Sequence, residues 1–425
     1  MYNVGFGDCF LLSFAYADRE RHMLVDYGST SAPKNGRKTY MADIAEDIKS
    51  RCGGKLDIIV ATHRHRDHIS GFSTDVGTGK TIAGLKPDVV IQPWTEDPKA
   101  KPNASTAVSS IYTRGNADRK KMTDHLLGAL EDMHQVAAGV VEFAMNSKGL
   151  LGADARSQLQ FLGEDNLKNL SAVTNLMQMG KKGKAYYVNA GMTLNGVLPG
   201  VKVQVLGPPN LEQSDKIRKE RSKDPNEFWQ FRSIWASQQM AFSSASRGLR
   251  GSWTREVAGR RAKSAPPEVR WFLRQCQEIH GDQLLELVRD LDSVMNNTSV
   301  ILLLESGGKK LLFPGDAQIE NWAYALNRTD WRKKLEDVGI YKVGHHGSLN
   351  ATPKSLWALF GKKGDEHRRG RLKTLCSTKS GKFGRVQSGT EVPRRVLVDE
   401  LKKHSDFNST EAYEHVLFQD FTVKF

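Results

Sequence analysis

Apolar and polar positions along this chain alternate between two periods, and the changes of period mark its elements. Phe10 to Ala15 and Met23-Leu24-Val25 are short apolar runs, the second closed by Asp26, and both predict strands. Tyr40 to Arg51 sets Met41, Ile44 and Ile48 on one side, which predicts a helix stopped by Gly53-Gly54. Asp57 to Thr62 (DIIVAT) predicts a buried strand, and Asp88 to Pro93 (DVVIQP) predicts another after a Lys-Pro break. Val201 to Gly207 alternates strictly and ends at Pro208-Pro209. Thr298 to Leu304 and Lys309 to Phe313, joined across Ser306-Gly307-Gly308, predict a hairpin. A helix with a tryptophan face (Trp322, Leu326, Trp331, Leu335) follows. Beyond it come a strand at Gly339 to Val343, a strand at Arg371 to Ser377, a helix at Arg394 to His404 and a strand at His415 to Phe425. Strands interleaved with helices predict an α/β or mixed layered fold.

Two stretches depart from this rhythm. Residues 98–185 are polar and lysine-rich, with a helix predicted near Thr123 to Ala144. Residues 211–293 are basic, rich in Trp and Arg and mostly helical, broken by Gly248, Gly251, Gly259 and Pro266-Pro267. Both read as insertions into one domain that covers residues 1–425. Lys216 to Arg274 interleaves its cations with Trp229, Phe231, Trp235, Trp253 and Trp271. That pattern suits either a grip on nucleic acid or an amphipathic helix with an aromatic core face.

Composition narrows the class. Of 425 residues, 39% are hydrophobic and 26% charged, which is ordinary for a globular protein with a sizeable core. The longest apolar runs, such as Ser299 to Glu305, fall far short of a membrane span, so no membrane partner is expected. The opening residues lack the basic and apolar regions of a secretion signal, and a cytoplasmic location is the expectation. Four scattered cysteines (Cys9, Cys52, Cys276, Cys376) build neither a disulfide framework nor a thiolate zinc site. The net charge of +14 favours a polyanionic partner such as nucleic acid.

The chemistry concentrates in Thr62 to His68, THRHRDH, directly after a predicted buried strand. His63 and His65, two residues apart on extended chain, can point to one side. Asp67 and His68 follow on the turn and face a neighbouring position. Imidazole and carboxylate ligands suit Zn²⁺ and also accept Mn²⁺ or Fe.

THRHRDH resembles the signature of the metallo-β-lactamase superfamily. Three other segments resemble that family's remaining elements in the expected order: Val25-Asp26-Tyr27-Gly28, Phe313-Pro314-Gly315-Asp316, and Val343-Gly344-His345-His346-Gly347-Ser348. The opening VGFGDCFLLSF, the LGPP at Leu206 to Pro209 and the late CSTKSGKFG run are most similar to the branch related to the metallo-β-lactamase domain of the bacterial DNA-uptake channel protein. The resemblance does not cover the two insertions. It implies a four-layer αββα sandwich with two divalent metal ions, Zn²⁺ or Mn²⁺. One ion would be held by His63, His65 and Asp316, the other by Asp67, His68, Asp316 and one of His345 and His346. His346, beside Gly347, is the favoured ligand. His345 is then left to hydrogen-bond a leaving oxygen, and Asp26 to orient the loop. The family's usual further histidine before the "GD" aspartate is missing. Asn296-Asn297-Thr298-Ser299 stands there, so Asn297, its neighbour or water completes the first set, which favours an oxygen-tolerant metal. Lys379, Lys382 and Arg385, in a Gly- and Ser-rich loop, could hold a substrate phosphate or simply line the surface.

The resulting expectation is a metal-dependent nuclease or phosphodiesterase acting on DNA. The resemblance further implies the effector of an anti-phage defence complex, with a partner ATPase docked through the insertions. A small-molecule ester, lactam or phosphoester hydrolase and a non-catalytic subunit of a larger complex are the alternatives.

Overall fold

Short apolar runs bounded by turn residues assemble into two mixed sheets in this computed structural model, which describes residues 1–100, 104–112, 170–214, 295–348, 350, 352–384, 386, 391–413 and 415–424. In the first sheet β1 (Cys9–Ala15) runs antiparallel to β2 (Glu20–Tyr27). Next come β3 (Ile58–Val60), β4 (Val89–Pro93) and β6 (Lys184–Val188), all parallel, and β5 (Ile111–Tyr112) lies antiparallel on the edge. The second sheet begins with an antiparallel series: β7 (Thr193–Leu194), β8 (Lys202–Gly207), β9 (Ile301–Ser306) and β10 (Lys309–Phe313). It continues in parallel through β11 (Ile340–Lys342), β12 (Lys373–Cys376) and β13 (Asp406–Ser409). The chain is thus mixed α/β.

Side chains of successive strand residues point to opposite faces, and the core divides accordingly. Val25, Ile58, Val60 and Ile91 of the first sheet share a cluster with Val203, Val205, Leu302, Leu304 and Phe313 of the second. Their neighbours Leu24, Ile59 and Val90 instead meet α1 (Tyr40–Arg51), α3 (Thr78–Gly84) and α4 (Leu170–Lys182) through Ile44, Ile48, Ile82 and Leu176. Ile301, Leu303, Leu312 and Tyr341 meet Trp322, Trp331, Leu335, Leu356 and Leu401. Those five come from α5 (Ile319–Leu326), α6 (Thr329–Glu336), α7 (Lys354–Leu359) and α8 (Arg395–His404). Helix α2 (Arg66–Ile69) is a single turn after β3. Strands buried on both faces read as unbroken apolar runs, which is why IIV and VVIQP lack alternation.

Several expectations hold and two need correction. Helix α1 has the predicted bounds, with Ile44 and Ile48 buried and Cys52, just before Gly53, as its C-cap. The β9–β10 hairpin turns through Gly307 and Gly308, both at positive φ (51° and 74°). The tryptophan face, predicted on one helix, belongs to two, α5 and α6, because the chain leaves helical geometry at Arg328 (φ −100°, ψ 114°). The last strand of the sheet is β13, formed by Asp406–Ser409, whereas among the described residues from His415 onward there is an isolated bridge between Phe418 and Tyr2. From the stretch 98–185, β5 and part of β6 complete the first sheet, and α4 packs on its face through Leu176. The helix near Thr123 to Ala144 and the Trp- and Arg-rich segment from Lys216 to Arg274 lie outside the described residues, as does Arg385. No helix among the described residues is long and apolar enough to cross a membrane. Cys9, Cys52 and Cys376 are buried free thiols.

Candidate metal centre

The carboxyl ends of β2, β3, β10, β11 and β12 open onto one place, and the predicted ligands follow them. Asp26 ends β2, the THRHRDH loop follows β3, Asp316 follows β10, and His345 and His346 follow β11. The edge beyond strand carboxyl ends is where α/β sheets usually hold ligands. His63, His65, Asp67, His68, Asp316 and His346 are all buried. Ligand atoms of Asp67, His68, Asp316 and His346 lie within 4.8 Å of one another, as do those of His63, His65 and Asp67. In this geometry Asp67 is the carboxylate grouped with His63 and His65, and Asp316 is grouped with Asp67, His68 and His346.

Backbone geometry holds the loops at unusual angles. Asp26, His345 and His346 sit at positive φ (55°, 42° and 51°), a region costing a side chain roughly 1–2 kcal/mol per residue. Strain of this kind persists where surrounding structure enforces it, and it clusters at functional sites. Gly28 is required by close approach. A β-carbon there would lie 2.5 Å from the backbone of Asp67 and His68. The Asp8 N–H donates to Asp67 O (2.9 Å) and the Gly28 N–H to Asp8 O (3.0 Å), stitching three loops together.

Side-chain partners fix which atoms face inward. Asp26 accepts from the Thr62 N–H (2.8 Å) and Thr62 hydroxyl (2.7 Å), and its Oδ2 lies 2.8 Å from His68 Nδ1. That leaves His68 Nε2 aimed at Asp316 Oδ2, 3.0 Å away, without hydrogen-bond geometry between them. His346 Nδ1 lies 3.0 Å from Ser377 O, so its Nε2 meets Asp67 Oδ2 at 2.8 Å and Asp316 Oδ2 at 3.6 Å. Asp67 Oδ1, His68 Nε2 and Asp316 Oδ2 are buried polar atoms with no hydrogen-bond partner. Buried groups of this kind are rare unless something else satisfies them, and a cation among them would.

The electrostatics fit the same reading. Burial alone would raise Asp67 and Asp316, yet His68 above all, with His346 and, for Asp316, Lys342, outweighs it. Asp67 falls to about 2 and Asp316 well below the usual range. Burial also disfavours charge on His68 and His346, but Asp316 leads the carboxylates that raise both. Burial, with help from the other imidazoles, holds His63 well down, and burial against the pull of Asp67 holds His65 at about 4. The carboxylates therefore recruit protons on His68 and His346, and a divalent ion could take the place of those protons.

The remaining expected residues fall around this centre. The His345 N–H donates to Asp316 Oδ1 (3.0 Å); its ring is half-buried, and Nδ1 has no hydrogen-bond partner. Asn297 Nδ2 donates to Glu320 Oε2 (3.2 Å) and leaves its buried Oδ1 without a partner. The Val300 N–H donates to Thr62 O (2.9 Å), which ties that turn to the metal loop. Lys379 Nζ donates to Ser31 Oγ (2.9 Å) and Ala32 O (2.6 Å), so it ties loops together, and Lys382 is half-buried beside it.

Two residues escaped the sequence reading. Lys342, buried in β11, pairs with buried Asp8 and reaches Asp316 Oδ1 at 3.3 Å and Gly315 O at 3.0 Å. Burial and the Asp8 and Asp316 charges pull in opposite directions, and the carboxylates win, raising Lys342. Asp8, Asp26 and His68 also offer atoms within 4.8 Å, but there Lys342 already supplies a cation. The available signal was a lysine inside the apolar run IYKV, a position that buries charge only when paired.

No protein-family model matches the chain, and no curated protein matches it.

Proposed function

We propose that this chain is a metal-dependent hydrolase with the αββα architecture of the metallo-β-lactamase superfamily, cleaving phosphodiester bonds in DNA. The observation that carries the reading is the buried convergence of Asp67, His68, Asp316 and His346, with unpaired atoms facing one another. His63, His65 and Asp67 would hold one divalent ion, with Asn297 Oδ1 an added oxygen, and the four-residue set the other. Two such ions, Zn²⁺ or Mn²⁺, supply a water of lowered pKa and neutralise charge on a phosphoryl oxygen.

The protein's own groups do the rest. Asp26 keeps the His68 proton on Nδ1, and Ser377 O does the same for His346, so both Nε2 atoms face the centre. His345 lies below its usual pKa, chiefly through burial, so its ring is neutral near pH 7 and offers a hydrogen bond to the leaving oxygen. The net charge of +14 favours encounter with a polyanion.

The test incubates purified protein with plasmid, linear and single-stranded DNA in Mn²⁺, Mg²⁺ or Zn²⁺, beside an Asp67→Ala/His68→Ala variant. Wild type should cut DNA and the variant should not. Intact DNA throughout, with wild type alone hydrolysing an ester dye, would replace this reading with the small-molecule one.

A further inference from the structure

A hydrolase of a polymer must hold the chain on both sides of the bond it breaks, and one flank of the metal loop carries a concentration of cations. Arg66 is exposed at the start of α2, next to Asp67. Tyr40 follows the turn that bears Lys34, Arg37 and Lys38, all exposed. The Tyr40 hydroxyl donates to Ser29 Oγ (2.9 Å). Ser29 and Ser70 exchange bonds of 2.9 and 3.0 Å just past the end of α2. From the other side Lys379 donates to Ser31 and Ala32, which brings the 379–382 loop to the same turn. Lys382, half-buried, follows in the same loop. The Phe6 N–H donates to Ser31 O (2.9 Å), and the Phe6 ring stands 4.6 Å from the ring of His346. The turn and the metal ligands therefore share a wall.

Among the described residues Asp43, bonded by Thr39, and Glu411, bonded by the Ser380 N–H, lie on this flank. Residues 34–38 read Lys-Asn-Gly-Arg-Lys and hold no apolar side chain. Protein interfaces are anchored by buried aromatic and aliphatic groups, whereas phosphate contacts come from exposed Lys and Arg.

We propose that Lys34, Arg37, Lys38, Arg66, Lys379 and Lys382 form a rim that grips the phosphate backbone of a nucleic acid strand leading into the metal centre. The inference rests on the phosphodiesterase reading above and makes its substrate a polymer. Recognition through phosphates is independent of base sequence and steep in salt.

The test is binding of a cleavage-resistant phosphorothioate duplex, with Mn²⁺ present, across a salt series. The variants are Lys34→Ala/Arg37→Ala/Lys38→Ala and, as a control on exposed positions of α6 and α8, Arg332→Ala/Lys333→Ala/Lys402→Ala. Each lost phosphate contact removes about 0.9 from the slope of log affinity against log salt. The rim variant should lose about 2–3 from that slope and roughly tenfold or more in affinity, while the control keeps both. Equal slopes for the rim variant and wild type, in a wild type that cleaves DNA, overturn the rim and leave the hydrolase standing. A rim-dependent slope in a protein that cleaves no phosphodiester supports the rim and overturns the hydrolase. Displacement of the duplex by poly-glutamate at equal charge would overturn recognition of a phosphate backbone.

Discussion

Asp26→Asn separates the fold's need for Asp26 from the metal centre's need for it. The residue sits at φ 55°, which asparagine tolerates as readily as aspartate, so the backbone is undisturbed. The amide oxygen can still accept the Thr62 N–H now bound at 2.8 Å, and the new NH₂ can donate to the Thr62 hydroxyl. The contact that fails is the one to His68 Nδ1, where two donors would meet at 2.8 Å. His68 escapes by moving its proton to Nε2, the atom that faces Asp316 Oδ2 at 3.0 Å, and its ligand lone pair is lost. Stability should fall by about 1 kcal/mol, because a neutral hydrogen bond from the new NH₂ to His68 Nδ1 replaces one to a charged carboxylate. Metal affinity should fall about 10- to 100-fold, the usual effect of losing a group that orients a ligating histidine. Asp26→Ala, by contrast, strands three partners and places alanine at positive φ, costing on the order of 5 kcal/mol. The assays are chelator-competition titration of Mn²⁺ or Zn²⁺ and chemical denaturation of the metal-free protein. An Asp26→Asn variant with wild-type metal affinity would refute the argument.

Other outcomes follow from the same geometry. Gly28→Ala puts a methyl 2.5 Å from the backbone of Asp67 and His68 and should cost about 3 kcal/mol, read by denaturant midpoint; a neutral result would contradict the close approach. Ligand imidazoles must be neutral to bind metal, and His68 and His346 take protons at higher pH than His63 and His65. Acidification should therefore empty the Asp67–His68–Asp316–His346 set first and the His63–His65–Asp67 set later, toward the His65 value of about 4, as metal content against pH would record. A single step, or the reverse order, would contradict the assignment.

The His and Asp residues of the buried cluster were legible in the sequence because they lie in short local patterns at strand ends, such as THRHRDH and GHHGS. Helix α1 was legible because Ile44 and Ile48 repeat at helical spacing and paired glycines close it. What stayed hidden depends on contacts between distant segments. Spacing alone does not say which carboxylate lies nearest His63 and His65; the fold groups Asp67 with them. Lys342 and Asp8 looked unremarkable apart; their burial makes sense only when each is the other's counter-charge. β13 escaped because DFNS is a short, polar edge strand, while the apolar residues after His415 imitate a strand but, among the described residues, form an isolated bridge at Phe418.

The proposed hydrolase requires that these side chains hold metal. Crystals grown with Mn²⁺ and measured for its anomalous scattering would answer directly. The account predicts a peak within bonding distance of Asp67, His68, Asp316 and His346, and a second beside His63 and His65. Ordered side chains with no peak among them, at a metal concentration that saturates other Mn²⁺ proteins, would contradict it.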